Sequence, residues 1–368
     1  MKWSWKLAHV AGIGVYMHAT FLLLIGWVAL GHWLAEHSLA AVLTGIAFIL
    51  GLFACVVLHE FGHALTARRY GIATRDITLL PIGGIARLER MPEQPRQELL
   101  VALAGPAVNV VIAAALYGSM EATTGLTPVA ELDVMHGPIL ERLMFVNLWL
   151  VGFNLLPAFP MDGGRVLRAL LATRMEYTRA TQIAATIGQG TALAFGFLGL
   201  VGNPFLVFIA LFVWIGAAQE ASMVQMKAAL AGIPVSRAMI SEFRTLSPGD
   251  VLDRAVDLLI TSAQRDFPVV DDGRVIGLLL HRDLPAALTR HGRTARVAEV
   301  MRRDFRMVDS HEMLEVAFRR LQACECHAVP VMHGGRLVGL VTMDNIGEFV
   351  SLQAAMGERR RPSVPRAA

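Results

Sequence analysis

From Ala19 to Ala218 the apolar positions fall into long uninterrupted runs, not into the stripes of a soluble helical fold. Six runs can be bounded, at roughly Ala19 to Ala35, Leu39 to Leu65, Leu99 to Met120, Leu140 to Leu156, Ile183 to Val201 and Pro204 to Ala218. Each is near the length at which a tilted helix crosses a hydrocarbon layer about 30 Å thick. Leu39 to Leu58 contains no charged side chain at all. The pattern predicts a polytopic α-helical membrane domain of about six transmembrane helices, occupying residues 1–226.

Basic residues give this domain an orientation. The connection from Ala67 to Glu98 carries Arg68, Arg69, Arg75, Arg87, Arg90 and Arg96, and the one after the fourth run carries Arg165, Arg168, Arg174 and Arg179. Glu121 to Glu141 has acids and neither Lys nor Arg. Basic loops are retained on the cytoplasmic side, so both termini and both basic connections are expected there, in a multi-pass protein of the cell's inner membrane. Met1 to Ala11 leads into the first run without a cleavage site, so no cleavable signal peptide is expected.

After Met226 the long runs stop and the sequence repeats. Val235-Ser-Arg-Ala-Met239 returns as Val297-Ala-Glu-Val-Met301, and the Pro268 to Gly277 stretch returns as Pro330 to Gly339. The interval is the same for every pair, 239 to 301 and 268 to 330, so the halves match without a gap. Two equal α/β units follow, at 235–289 and 297–350, after a linker at 227–234. The remainder, 351–368, holds Arg359-Arg360-Arg361 and two prolines. It is expected to be a disordered basic tail able to touch anionic membrane lipid.

Composition narrows the class further. Over 368 residues, 55% hydrophobic and 17% charged side chains, with a mean hydropathy of +0.52, are too apolar for a soluble enzyme. The net charge of +3 arises from arginines beside apolar runs, which is a topology signal and excludes a nucleic-acid surface. Cys55, Cys324 and Cys326 form no CxxC pair, so reduced thiols are expected.

The chemistry is concentrated at the end of the second run, in His59-Glu60-Phe61-Gly62-His63. On a helix, positions four apart share a face, so His59 and His63 can hold one Zn²⁺ while Glu60 stands beside it as a base. Ionisable groups bordering such an apolar segment are costly and are read as functional. A third ligand has to come from elsewhere, and the candidate is Asp162 in Asn154-Leu-Leu-Pro157-Ala-Phe-Pro160-Met-Asp162-Gly163-Gly164. Pro157 and Pro160 stop the helix there, and the glycines permit close backbone approach. Two imidazoles and a carboxylate leave one position for a water that Glu60 can deprotonate. Thr74 to Glu89 alternates around Pro81 and Gly83-Gly84, which fits either a hairpin or a re-entrant loop.

These motifs, together with Gly105, Pro106 and Asn109 in the third run, resemble the site-2 protease family of intramembrane zinc metalloproteases, across the whole membrane domain. The resemblance implies one Zn²⁺ on His59, His63 and Asp162, with Glu60 as general base. It implies that Asn154 positions substrate or stabilises the oxyanion, and that an extended substrate strand pairs beside the catalytic helix. Its substrate would be a transmembrane protein such as a membrane-anchored transcriptional regulator.

The repeated half resembles tandem CBS domains, which pair with one another and often bind adenosine nucleotides. In that pattern a Thr or Ser precedes, by three residues, an Asp that holds the ribose. The first unit offers Leu280 and Asp283, and the second Thr342 and Asn345, so each keeps one element. Asp283 and Thr342 are the nucleotide-binding candidates, with Asp283 as ribose contact; the other role for the pair is structural, as a homodimer interface. The alternative function is a CBS-regulated transporter or channel with its His and Asp residues along an ion path, for which a base between two ligands has no use.

Overall fold

The computed structural model describes residues 3–81, 83–123, 137–324 and 326–358. The chain divides into two units, Met1–Val224 and Gln225–Ala368.

The first unit begins with two strands, β1 (Ser4–Val10) and β2 (Ile13–His18), followed by α1 (Phe21–Glu36) and α2 (Leu39–Arg69). Helix α2 starts where the Ser38 hydroxyl accepts the Ala41 N–H, and it stops after Arg68 and Arg69 at Gly71, whose φ of 71° a side chain would disfavour. Its 31 residues are about 46 Å long, more than a bilayer core requires. Strands β3 (Thr74–Leu80) and β4 (Gly83–Leu88) come next, so the Thr74 to Glu89 stretch is a hairpin.

The four strands make one sheet in the order β1-β2-β3-β4, with β2 and β3 parallel and the outer pairs antiparallel. Ile13, Val15 and Ile77 of the sheet bury themselves against Phe61 and Ala64 of α2. A second cluster joins Phe21, Phe53 and Leu79. Sheet and helix are thereby fixed to one another beside His59 and His63, and β4 is an edge strand. The sequence left a hairpin and a re-entrant loop both open for β3 and β4, and the residues before Ala11 read as a plain lead-in, although Ser4 to Leu7 alternates.

Five further helices complete this unit: α3 (Pro95–Thr123), α4 (Ile139–Asn154), α5 (Asp162–Ala172), α6 (Tyr177–Val201) and α7 (Phe205–Leu230). Among the described residues, four helices are long and apolar enough to cross a membrane, at Leu39–Arg69, Pro95–Ala122, Tyr177–Val201 and Phe205–Leu230. The first and fourth runs form helices of only 16 residues each, about 24 Å, which is short of the full core. Much of the Glu121 to Glu141 loop, 124–136, lies outside the described residues. Arg168, counted above among loop charges, is instead on α5 and 0% exposed, so it is no part of a basic loop.

In the second unit, α7 continues through Leu230 into the stretch expected as linker. The remaining elements are α8 (Leu252–Thr261), β5 (Phe267–Asp271), β6 (Arg274–Leu279), α9 (Leu284–His291), α10 (Val297–Val300), β7 (Val308–Asp309), α11 (Leu314–Ala323), β8 (Ala328–His333), β9 (Arg336–Thr342) and α12 (Met343–Glu358). Helix α12 corrects the tail expectation, because 351–358 is helical; 359–368, with the three arginines, lies outside the described residues. Cys324 and Cys326 are joined in a disulfide, contrary to the expected reduced thiols, since one intervening residue leaves their Cα atoms 5.2 Å apart, within disulfide reach. Cys55 is free and buried.

The two repeats exchange their opening segments. Ile240 pairs with Leu340 and, at the equivalent positions of the repeat, Arg302 pairs with Leu278. Val235 and Ala238 accordingly pack in the core of Leu314, Val331, Val341 and Ile346, while Val297 and Met301 pack in the core of Leu252, Val269 and Leu279. Leu252 and Leu314 are equivalent positions, both 0% exposed. Leu314→Ala should destabilise this unit by about 2–5 kcal/mol. In hydrogen-exchange mass spectrometry of the purified full chain, faster exchange is expected in β8, β9 and 235–240, with α2 and α3 unchanged.

Candidate metal centre

His59 and His63 lie one turn apart on α2, and Asp162 is the first residue of α5. All three are buried. His59 Nε2 and His63 Nε2 are 3.0 Å apart, His63 Nε2 is 3.1 Å from Asp162 Oδ2, and His59 Nε2 is 3.3 Å from the same oxygen. Tetrahedral zinc with bonds of about 2.0–2.2 Å sets its ligand atoms roughly 3.3–3.6 Å apart, so this triangle matches to within a few tenths of an ångström.

The protons of the site can be assigned from a chain of buried amides. Asn147 donates through Nδ2 to the Leu143 carbonyl, which only accepts. Its Oδ1 is therefore free to accept from Asn109 Nδ2 at 3.0 Å, and Asn109 Oδ1 in turn accepts from His59 Nδ1 at 2.7 Å. His63 Nδ1 donates to the Val101 carbonyl at 2.7 Å. Both histidines carry their proton on Nδ1, and both bare Nε2 atoms face a carboxylate oxygen. Three acceptors converge with no proton between them, an arrangement that a cation satisfies and water alone does not.

Backbone shape makes room for that cation. A Cβ on Gly105 of α3 would fall 2.2 Å from His63 Nε2 and 2.6 Å from His59 Nε2. Only glycine lets α3 pass this close to the imidazole pair. The donor set, its spacing and this recess all fit Zn²⁺.

Glu60 lines the same cavity, of about 420 Å³, together with His59, His63, Asn154, Asp162, Arg165 and the edge strand β4. Its Oε2 accepts the Ala86 N–H of β4 at 3.2 Å. Asn154, at the end of α4, lies on the cavity wall. Cys55, one turn before His59, stays outside the ligand cluster.

Sequence reasoning missed the supports of the site. Asn109 was noted only as part of a motif, and Asn147 not at all, although an amide inside an apolar helix is itself a signal. It also missed the Arg168 clamp. Arg168 Nε donates to Glu98 Oε1 of α3 at 2.8 Å and Nη1 donates to Glu220 Oε1 of α7 at 2.5 Å, while Tyr177 of α6 donates to Glu98 at 3.3 Å. This buried network ties the short helix bearing Asp162 to three membrane helices.

In the second unit, Thr342 lines a cleft of about 770 Å³ with Asp344, Asn345, Arg244 and Asp266, and its Oγ1 accepts the Asn345 N–H. Asp283 is differently placed. Its carboxylate is held two-pronged by Arg302 at 2.6 and 3.0 Å, and these bonds draw it below the usual carboxylate range. The cleft of about 250 Å³ nearby is walled by Leu280, Arg302, Asp304 and Cys324.

Comparison with known proteins bears on both units. Residues 47–134 and 122–195 match peptidase family M50, and residues 235–290 and 297–351 match the CBS domain. Zinc metalloprotease MJ0392 of Methanocaldococcus jannaschii is 31% identical over 353 residues, 96% of this chain and 97% of that protein. Putative zinc metalloprotease Rip3 of Mycobacterium tuberculosis is 29% identical over 383 residues, covering 96% and 94%. Among solved structures, the site-2 protease from Methanocaldococcus jannaschii is 38% identical with a TM-score of 0.44, covering 60% of this chain and 95% of that one.

Gly105→Ala should empty the centre, whereas Gly118→Ala, whose Cβ would meet nothing within 4 Å, should not. Asn109→Leu should weaken zinc about 10- to 100-fold by freeing the His59 tautomer. Zinc content of the purified variants by mass spectrometry checks all three.

Proposed function

The chain belongs to the site-2 protease family, peptidase family M50, and as a zinc metalloprotease with CBS domains we propose that it hydrolyses a peptide bond within or beside a transmembrane segment of a membrane-anchored regulatory protein. The observation carrying this reading is the convergence of three bare acceptor atoms next to Glu60, on an apolar helix, in a cavity bordered by an edge strand. An ion path has no use for the base or for the open strand.

His59, His63 and Asp162 would hold the zinc, which would supply Lewis acidity towards a scissile carbonyl and an attacking water. Glu60 takes the proton of that water and delivers it to the leaving nitrogen. The Asn154 amide donates to the oxyanion, where a preorganised donor is worth most in a site closed to bulk water. A substrate helix shields its own peptide bonds, so it has to unwind before cleavage. The outer edge of β4, where the Ala86 N–H already meets Glu60, supports an extended segment by backbone pairing along the rest of the cavity.

The arginine distribution supports six crossings, with α1 and α4 accommodated by local bilayer thinning, both termini and the CBS pair cytoplasmic, and an inner-membrane location. The CBS pair follows the last membrane helix directly in sequence and modulates cleavage. An adenine nucleotide in the Thr342 cleft would do so through unequal affinity for two arrangements of the pair. Asp283 does not line that cleft; a ribose contact from it would belong to the neighbouring cleft walled by Leu280 and Arg302, and would require Arg302 to release its carboxylate. Self-association through the pair is the other means of control.

Glu60→Gln should lower cleavage of a reconstituted transmembrane substrate by about 100- to 10,000-fold while bound zinc stays constant. Parallel loss of zinc, or full cleavage, would remove Glu60 from its role as base. For the orientation, Thr127→Cys in a cysteine-free background should react with an impermeant maleimide added to intact cells. Reaction only after lysis would invert the topology.

A further inference from the structure

A second set of two imidazoles and a carboxylate stands in the CBS pair. We propose that Asp266, His281 and His327 form a further site for a divalent transition-metal ion, at the rim of the Thr342 cleft, joining the two halves of the pair. One ligating atom from each residue lies within 4.8 Å of the other two. His281 Nδ1 is 3.2 Å from Asp266 Oδ1, close to the ligand spacing of tetrahedral zinc, and the imidazole rings are 4.7 Å apart, edge to face.

Three observations point to a cation. First, the Asp266 side chain is 0% exposed, yet its only ion partner is His281, and no Lys or Arg reaches it among the described residues. Its oxygens otherwise accept the backbone N–H groups of His281 and His327, at 3.1 and 2.7 Å. A buried carboxylate is costly unless a positive charge is supplied, and a divalent cation held with the two imidazoles would supply it.

Second, the repeat provides an internal control. The positions equivalent to Asp266, His281 and His327 in the opposite half are Ala328, Met343 and Arg265. The same fold is completed there with no carboxylate and no histidine. The scaffold therefore does not require Asp266 as a backbone acceptor, and the three ligands are an addition to one side alone.

Third, the residues come from both halves. Asp266 and His281 flank β5 and β6, whereas His327 precedes β8. Asp266 and His327 also line the cleft, so coordination positions left by three ligands open towards it. Two imidazoles and a carboxylate suit zinc and its first-row neighbours, with no preference for calcium or magnesium.

The test is zinc stoichiometry of the purified full chain, equilibrated against Zn²⁺ buffered by a chelator. Wild type should hold a second equivalent beyond the membrane centre, and His281→Ala/His327→Ala should hold only one and keep basal cleavage. His327 is exposed and its backbone N–H to Asp266 survives substitution, so His327→Ala alone is the variant safe for folding. It should weaken the second equivalent by about 100-fold or more. Cobalt titration should give the visible absorption of a tetrahedral ion in His59→Ala/His63→Ala but not when His281 and His327 are also replaced. A zinc count that is the same in wild type, His327→Ala and the double variant would overturn the site.

Discussion

Three lone pairs aimed at one point inside an apolar helix bundle are the constraint on which the membrane unit depends. Two imidazole nitrogens and a carboxylate oxygen at 3.0 to 3.3 Å repel one another, and in low-dielectric surroundings that repulsion is barely screened. The arrangement persists only if the tautomers cannot change, if no side chain fills the centre and if the aspartate cannot swing away. Asn109 and Asn147 meet the first condition, Gly105 the second and Arg168 the third. Each belongs to a different part of the chain, so the site is a property of the whole unit.

The Arg168 clamp has its own logic. A guanidinium between two carboxylates, with Phe159 and Tyr177 each 4.9 Å from it, is an expensive way to hold helices together compared with packed leucines. What it supplies is directional specificity. Helix α5 is only 11 residues long and would otherwise be free to rotate or slide, and its first residue is a metal ligand. A fork with fixed geometry defines both its rotation and its depth.

The ligands and base were legible because their chemistry is written locally. His59, Glu60 and His63 share one turn, and Asp162 sits in a stretch whose prolines and glycines announce a break. The supports were not, because each is a solitary residue whose meaning depends on a partner 38 to 70 positions away. Arg168 shows the failure clearly: in sequence it is one of four arginines after an apolar run, and only its burial separates it from the others. The lengths of α1 and α4 were hidden for a related reason, since apolar runs do not reveal where capping and proline end a helix. The repeat was read correctly as two equal units, but their boundaries in sequence are not their boundaries in space.

That exchange of opening segments constrains the order in which the second unit can be assembled on the ribosome. Val235 and Ala238 are made early, yet the surface they cover consists of Val308, Leu314, Val331 and Ile346, all of which emerge only after the whole first repeat has been made. Until then those first residues have no native partner. At about 5–20 residues per second, this leaves an apolar segment uncovered for several seconds of synthesis. The middle of the unit, Leu246 to Met301, holds a contiguous core of its own and can close while the ribosome is still working on the rest. The unit is therefore built from the inside outwards, and a chain interrupted once β7 has emerged would present one finished half and a loose strip of chain belonging to a half that does not yet exist.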